Sequence, residues 1–196
     1  MSMLRIVLAS AVVSLGLALQ NVQAADEMVR AGDVIDALTA DWNDDGSMDR
    51  AILVTNKETD QADLYLYVGG EAANEFKLDL VRKDAVWVGG MWGTLPSLEL
   101  SKKGSLLIKS ANEAIGRNRW NQTITVAYRN NNFVAAGFTY NDYDTLEPNA
   151  AGTQCDVNLL TGKGTLNGKA ITVKDKAPLL KDWQMDGLLD ACKVGG

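Results

Sequence analysis

The chain contains no histidine among its 196 residues. Without histidine it cannot build a Ser-His-Asp or Cys-His nucleophile system, a histidine-ligated zinc site or a histidine general base. Cysteine is also scarce, with only two residues, and pairing them would remove thiol chemistry as well. Any catalysis would therefore depend on carboxylates, lysine, tyrosine or a Ser-Lys pair.

Positive charge is limited: 19 Lys and Arg stand against 25 Asp and Glu, which gives a formal net charge of −6. Because nucleic-acid binding requires Lys and Arg to neutralise phosphates, we expect no nucleic-acid partner. The same acidity argues against docking on an anionic membrane surface. A divalent cation such as calcium suits this charge better.

Long apolar runs are confined to the N-terminus, where Arg5 precedes an apolar run over residues 6–19 and small residues follow up to Ala24. A charged start, a short apolar segment and a small-residue cleavage site define a signal peptide. The run is shorter than the about 20 residues of a membrane-spanning helix, although a short N-terminal anchor helix is the alternative. We therefore predict that residues 1–24 are removed. Residues 25–196 then form a single exported β-rich domain, periplasmic or secreted, without a transmembrane segment.

The two cysteines are Cys155 and Cys192. In an oxidising compartment an even number of cysteines usually pairs, so we predict a disulfide. Closing a loop of roughly 38 residues would stabilise the fold by about 4 kcal/mol in the chain-entropy model. Two separate buried thiols are the alternative.

The sequence around three consecutive asparagines predicts a β-hairpin. Residues 120–128 alternate between apolar and polar, which is the period of a strand. Residues 130–132 are all asparagine, a residue that tolerates the left-handed backbone angles of a turn. Residues 133–140 then form the returning strand.

Further β-like runs share this pattern of apolar or alternating residues between turn residues, and they lie at residues 51–55, 63–68, 84–88, 98–100, 105–109, 156–160 and 170–173. Short strands at this spacing predict a mainly β fold. Its antiparallel hairpins would form a sandwich, a barrel or a partial propeller-like sheet array. Residues 179–193 could add a short C-terminal helix, although Gly187 weakens that prediction.

Residues 41–49 read Asp-Trp-Asn-Asp-Asp-Gly-Ser-Met-Asp. Oxygen-bearing side chains therefore occupy alternate positions of the loop, and the glycine permits a sharp turn. Calcium takes six to eight oxygen ligands, which such a curled loop can supply. The predicted ligands are four side chains and one backbone carbonyl: Asp41, Asn43, Asp45, Asp49 and the carbonyl of Ser47. An acidic, solvated turn that binds no metal is the alternative.

An EF-hand would carry a bidentate Glu at position 12 of this loop, where the chain has Ile52 at the start of an apolar run. A loop of the form D-x-N-x-D-G-x-x-D that leads directly into a strand resembles the calcium loops of the FG-GAP and VCBS repeat families. The resemblance covers about residues 33–68, in a single copy. It implies a β-propeller-type blade with the calcium loop between neighbouring strands, and a role in adhesion or carbohydrate contact outside the cell.

A second acidic group, Asp142, Asp144 and Glu147, lies close together in the sequence. A glycosidase needs two carboxylates that face each other at about 5–9.5 Å, so these residues are the candidates for catalysis. A polar strand end that leads into a loop is the alternative.

Three aromatic residues are candidates for ligand contact: Trp92 between glycines, and Tyr140 and Tyr143 beside the second acidic group. Such rings stack on sugars or anchor protein partners, and core packing is the alternative. Taken together, the sequence predicts an exported calcium-binding β domain, a binding or structural module of the cell envelope whose partner is a glycan or an envelope protein. A carboxylate-dependent glycan hydrolase and a metal-free structural envelope protein are the alternatives.

Overall fold

The structure is a computed structural model that describes residues 29–70, 72, 75–147, 149–174, 176–183 and 190–193. The predicted signal peptide, residues 1–24, lies outside the described residues. Within the described ranges, none of the helical segments has the length and apolar character needed to cross a bilayer.

One short 3-10 helix, Ala31–Asp33, precedes the first strand. Eleven strands follow, and in chain order they are β1 Val34–Ala40, β2 Asp49–Asn56, β3 Gln61–Gly69, β4 Phe76–Trp87, β5 Ser97–Leu100, β6 Leu106–Asn112, β7 Asn118–Arg129, β8 Asn132–Asp144, β9 Gln154–Asn158, β10 Lys163–Leu166 and β11 Lys169–Thr172. The predicted mainly β fold is confirmed.

The strands form two antiparallel sheets, the small sheet β1-β2-β3-β4 and the large sheet β11-β10-β9-β8-β7-β6-β5. In both sheets each strand pairs with its neighbours in sequence, so both are meanders. Among the described strands neither sheet closes into a barrel. The barrel among the predicted architectures is therefore not formed, and both sheets are open.

A large apolar core joins the two sheets. The small sheet contributes Leu53 and Leu64 to this core, and the large sheet contributes Ile108, Ile124 and Phe138, all fully or almost fully buried. Ile124, between Thr123 and Thr125, shows the alternation of a strand with one buried face, whereas Leu53 lies between Ile52 and Val54. The core positions of β7 therefore follow from alternation in the sequence, whereas those of β2 lie in a continuous apolar run.

The predicted hairpin is formed by β7 and β8, which pair from Asn118↔Asp144 to Arg129↔Asn132. Its turn places Asn130 and Asn131 at φ values of 50° and 59°. Asparagine adopts this left-handed region more readily than most residues, and this explains why the chain reverses there.

Polar and aromatic contacts hold the sheets together outside the core. The Leu98 amide in β5 donates to Asp36 Oδ2 in β1 over 2.7 Å. The rings of Trp87 in β4 and Trp120 in β7 lie 5.4 Å apart. These contacts fix the position of β1 and β4 against the large sheet.

Cys155 in β9 and Cys192 form a disulfide, with the sulfur atoms 2.09 Å apart and the Cα atoms 5.6 Å apart across 37 positions of sequence. The predicted pairing is confirmed. The bond fixes the C-terminal segment to the large sheet. Further upstream in that segment, the Leu180 amide donates to the Phe133 carbonyl over 2.9 Å.

The first residues of the predicted C-terminal helix, 179–183, are not helical. Leu179 forms an isolated antiparallel bridge to Val134, and residues 180–182 form a turn. Residues 190–192 are helical, whereas residues 184–189 lie outside the described part of the chain. At the start of the predicted helix, Leu179 pairs with Val134 of β8 instead. This bridge satisfies backbone N–H and C=O groups that a helix would otherwise pair.

Candidate functional site

The acidic loop, residues 41–49, connects β1 to β2 at one end of the small sheet. Asp44 and Gly46 adopt φ values of 60° and 87°, which turn the chain sharply within a few residues. Glycine enters this region without steric penalty, and aspartate enters it more readily than most residues. The loop thus curls as its sequence predicts.

Side chains of the acidic loop accept hydrogen bonds from its own backbone. Asp41 Oδ2 accepts the Gly46 amide at 3.0 Å, Asn43 Oδ1 accepts the Asp45 amide at 3.1 Å, and Asp45 Oδ1 accepts the Ser47 amide at 2.7 Å. The Asn43 side-chain amide also donates to Asp45 Oδ2 at 2.7 Å. Three of the predicted ligands therefore point into the curl rather than away from it.

The buried side chain of Asp49 holds the C-terminal end of the acidic loop in place. It is fully buried, and its two oxygens accept the amides of Trp42 at 2.9 Å and Gly69 at 3.1 Å. A Cβ atom at Gly69 would lie only 2.5 Å from the Met48 carbonyl oxygen, so glycine is required for this close approach. The loop is thereby attached to the end of β3.

The charges of the acidic loop act on one another. Burial raises the pKa of Asp49, amide hydrogen bonds from Trp42 and Gly69 lower it, and the charges of Asp45 and Asp41 raise it further. The Ser47 amide and the Asn43 side chain lower the pKa of the exposed Asp45. Asp45 is consequently held in its charged form close to a buried carboxylate that it repels.

The donor chemistry of the acidic loop suits a hard cation. Every predicted ligand offers oxygen, and three carboxylates would more than balance a divalent charge. Within the described part of the chain, however, no group of three or more His, Cys, Asp or Glu side chains converges closely enough to hold a metal ion. The oxygens are therefore gathered in one loop, while hydrogen bonds to amides, and not a common centre, set their positions.

The second predicted acidic group lies at the opposite end of the strands. Asp142 and Asp144 line a cleft of about 330 Å³ together with Tyr140 and Tyr143. Asp142 Oδ1 accepts the Thr153 amide at 2.7 Å. The sequence neighbours thus converge on one cleft.

Arg117 neutralises much of this second group. Its Nε lies 2.9 and 2.8 Å from the two oxygens of Asp144, and its Nη2 lies 3.1 Å from Glu147 Oε1. Arg117 lowers the pKa of Asp144 through this hydrogen bond, assisted by the Leu146 amide. Asp144 is therefore a fixed, ionised carboxylate, and Glu147 is joined to it through the guanidinium group.

The three candidate aromatic residues lie in different surroundings. Tyr140 stacks on Trp120 with ring centres 6.4 Å apart, and burial raises its pKa, with a further contribution from Asp142. The Tyr143 hydroxyl donates to Glu113 Oε2 at 2.7 Å. Trp92 is not among the residues that line the cleft, and it stands on a separate turn with 94% of its surface exposed.

Sequence reasoning missed the partners that come from distant positions. Arg117 and Glu113 precede the second acidic group by about thirty residues. A further cluster surrounds a cavity of about 580 Å³, where Lys83 Nζ lies 3.0 Å from Asp63 Oδ2 and 3.2 Å from the Tyr65 hydroxyl. These residues meet only through the register of their strands, and no local sequence motif predicts the contacts.

Comparison with known proteins adds no relative: no family model matches the chain, no curated protein matches its sequence and no solved structure matches its fold. The resemblance to FG-GAP and VCBS calcium loops thus remains a prediction based on residues 33–68.

Proposed function

We propose that the chain is an exported calcium-binding β domain that serves as a binding or structural module of the cell envelope. The observation that carries the proposal is the acidic loop, in which the carboxylates of Asp41 and Asp45 repel the buried carboxylate of Asp49. A divalent cation that drew their oxygens to a common centre would relieve this repulsion. Periplasmic or secreted localisation is part of the proposal, and the disulfide supports it because such bonds persist in oxidising compartments.

Calcium is the cation we propose, because it accepts irregular shells of oxygen ligands. The ligands would be the side chains of Asp41, Asn43, Asp45 and Asp49 and the Ser47 carbonyl, with water completing the shell. An extracellular calcium site with Kd near 0.1 mM, at about 1 mM free ion, would stabilise the fold by about 1.4 kcal/mol. The ion would therefore reinforce a loop that its own hydrogen bonds already shape.

The test uses terbium luminescence, which Trp42 can sensitise because it lies within the loop. We expect the wild-type protein to give a terbium signal that calcium displaces, and Asp45→Ala to lose it. Asp44→Asn is the matched control: it also removes one negative charge, and its asparagine tolerates the φ of 60° at that position. Equal terbium signals from the wild type and Asp45→Ala would remove the calcium site and leave a metal-free structural envelope protein.

The cleft at the other end supports a second candidate, a carboxylate-dependent glycan hydrolase, because Asp142, Asp144 and two tyrosines line it together. The fixed charge of Asp144 speaks against a role as general acid, which requires a raised pKa. Release of reducing sugar from glycans, measured for the wild type and for Asp142→Asn and Asp144→Asn, tests this candidate. Activity that both variants retain would exclude it.

A further inference from the structure

Hydrogen bonds order the turn that carries Trp92. The Gly89 amide donates to the Thr94 carbonyl at 3.0 Å, the Thr94 amide donates to the Met91 carbonyl at 3.1 Å, and Thr94 Oγ1 accepts the Met91 amide at 3.1 Å. Thr94 itself is fully buried, whereas Trp92 is 94% exposed. The exposure of Trp92 is therefore a property of an ordered turn.

Two neighbouring connections extend this turn into a continuous surface. The Glu113 amide donates to the Gly93 carbonyl at 3.3 Å, and Tyr143 donates to Glu113 Oε2. The Thr145 amide donates to the Arg117 carbonyl at 3.0 Å. We name residues 89–95, 113–119 and 142–147 the three-loop surface.

The three-loop surface concentrates exposed apolar side chains. Of the twelve large hydrophobic side chains that are exposed in the described part of the chain, six lie here: Met91, Trp92, Leu95, Ile115, Tyr143 and Leu146. Trp92 alone exposes on the order of 200 Å². Clustered apolar exposure of this kind marks an interaction site, and Trp, Tyr, Met and Arg are the residues enriched in protein–protein interfaces.

The charges of the three-loop surface indicate which kind of partner it can bind. It carries four carboxylates and two guanidinium groups, namely Glu113, Asp142, Asp144, Glu147, Arg117 and Arg119. The surface and the whole chain, at −6, are thus both negative. A second copy of the chain and an anionic bilayer would both be repelled, whereas a surface bordered by lysine or arginine would be attracted.

We propose that the three-loop surface docks a protein partner, with Trp92 entering an apolar pocket whose border carries lysine or arginine. This deepens the binding role proposed above and rests on that role. It does not depend on calcium, because the acidic loop contacts Gly69 at the end of β3, whereas the Trp92 turn follows Trp87, which pairs with Gln61 at the start of β3.

The experiment places a photo-crosslinking phenylalanine derivative at position 92 of the full chain, expressed in its own cells. Position 100 carries the same probe in the control, because Leu100 is also exposed but lies at the far end of β5. The protein crosslinked only from position 92 is identified, purified and titrated calorimetrically against the unmodified chain. We expect Trp92→Ala to raise Kd at least about 30-fold, as for an interface hot spot, and Leu100→Ala to change it less than about threefold.

The charge component is tested in the same binary complex. We expect Kd to rise as sodium chloride increases from 50 to 500 mM, because ions screen charges at the border of an interface. The titration is repeated with EGTA and with Asp45→Ala. An unchanged Kd there, beside a failed terbium test, would refute the calcium site alone and leave the docking proposal standing.

Four results would overturn the docking proposal. Two concern the partner: the absence of an adduct specific to position 92, and a purified partner that binds Trp92→Ala as tightly as the wild type. A blue shift of Trp92 fluorescence on phosphatidylcholine vesicles, with or without phosphatidylglycerol, would assign the surface to membranes. A concentration-dependent dimer in sedimentation velocity that Trp92→Ala abolishes would assign it to a second copy of the chain.

Discussion

The acidic loop and the Trp92 turn are both hydrogen-bonded connections between strands, but one buries its tryptophan and the other exposes it. Each connects two strands, each contains a tryptophan, and each is fixed by one fully buried polar residue, Asp49 in the first and Thr94 in the second. In the acidic loop the tryptophan, Trp42, is 7% exposed and packs against Phe133 with ring centres 6.4 Å apart. In the turn, Trp92 is almost fully exposed.

The difference shows that the exposure of a side chain is set separately from the order of the backbone that carries it. Each segment satisfies several of its backbone amides internally. In the acidic loop the side chains provide the acceptors, so the polar groups are turned inward. In the Trp92 turn Thr94 and backbone carbonyls provide them, and this leaves the tip free to present an apolar ring.

We expect the largest difference in the free energy of unfolding when each of the two tryptophans is replaced by alanine. Trp42→Ala should lower the free energy of unfolding by about 4 kcal/mol, because it removes a large ring from the core. Trp92→Ala should change it by no more than about 0.5 kcal/mol. Urea denaturation of both variants measures the difference, and similar midpoints would break the comparison.

Asp49→Ala should have the next largest effect. It leaves the amides of Trp42 and Gly69 without their acceptors, and each unsatisfied buried group costs about 1–3 kcal/mol. We expect a loss of about 3 kcal/mol in the free energy of unfolding, partly offset by the relief of repulsion from Asp41 and Asp45. Asp44→Asn is the control and should be neutral. A loss below about 1 kcal/mol would show that Asp49 does not fix the loop.

Thr94→Val should destabilise by about 2 kcal/mol, since valine keeps the branched shape but cannot accept the Met91 amide. Thr94→Ser restores the hydroxyl and should recover more than half of the loss. Thermal unfolding of the two variants tests this assignment. If valine and serine behave alike, the hydroxyl is not what orders the turn.

The smallest effect concerns pH. The folded pKa of Asp144 lies below its unfolded value, so its pairing with Arg117 contributes stability above the unfolded pKa. This contribution is lost as pH falls through the folded pKa. We therefore expect Arg117→Gln to lower the melting temperature slightly at pH 7 and not at pH 2, and an equal deficit at both pH values would refute the prediction.

Local sequence patterns predicted the hairpins well where both signals were present. Alternation and three asparagines located β7 and β8, and the apolar runs located β2 and β3. The run at residues 170–173 located β11, but its partner β10 was missed, although the Asn167-Gly168 turn between them, with φ values of 49° and 76°, is among the strongest turn signals in a sequence. The first half of β4 was also missed, and Phe76, Leu78 and Leu80 do alternate with polar residues there.

Long-range pairings could be predicted only where chemistry restricts the choice. Two cysteines allow one disulfide, so Cys155 and Cys192 could be paired from the sequence. Any of 25 carboxylates could accept the charge of Arg117, and only the register of β7 against β8 selects Asp144. The curl of the acidic loop was predictable because its residues are contiguous, and its calcium ligands stay a prediction, whereas the surface around Trp92 is assembled from three separate connections.

The meander order of both sheets has a consequence for how the chain assembles. Every strand pairing joins neighbours in sequence, so each hairpin can close its own short loop without waiting for residues synthesised much later. Docking of the two sheets and oxidation of the cysteines are the steps that require distant segments. Formation of the disulfide would therefore trap a body that has already taken shape, and reducing conditions during refolding should delay the ordering of the C-terminal segment rather than the pairing of the strands.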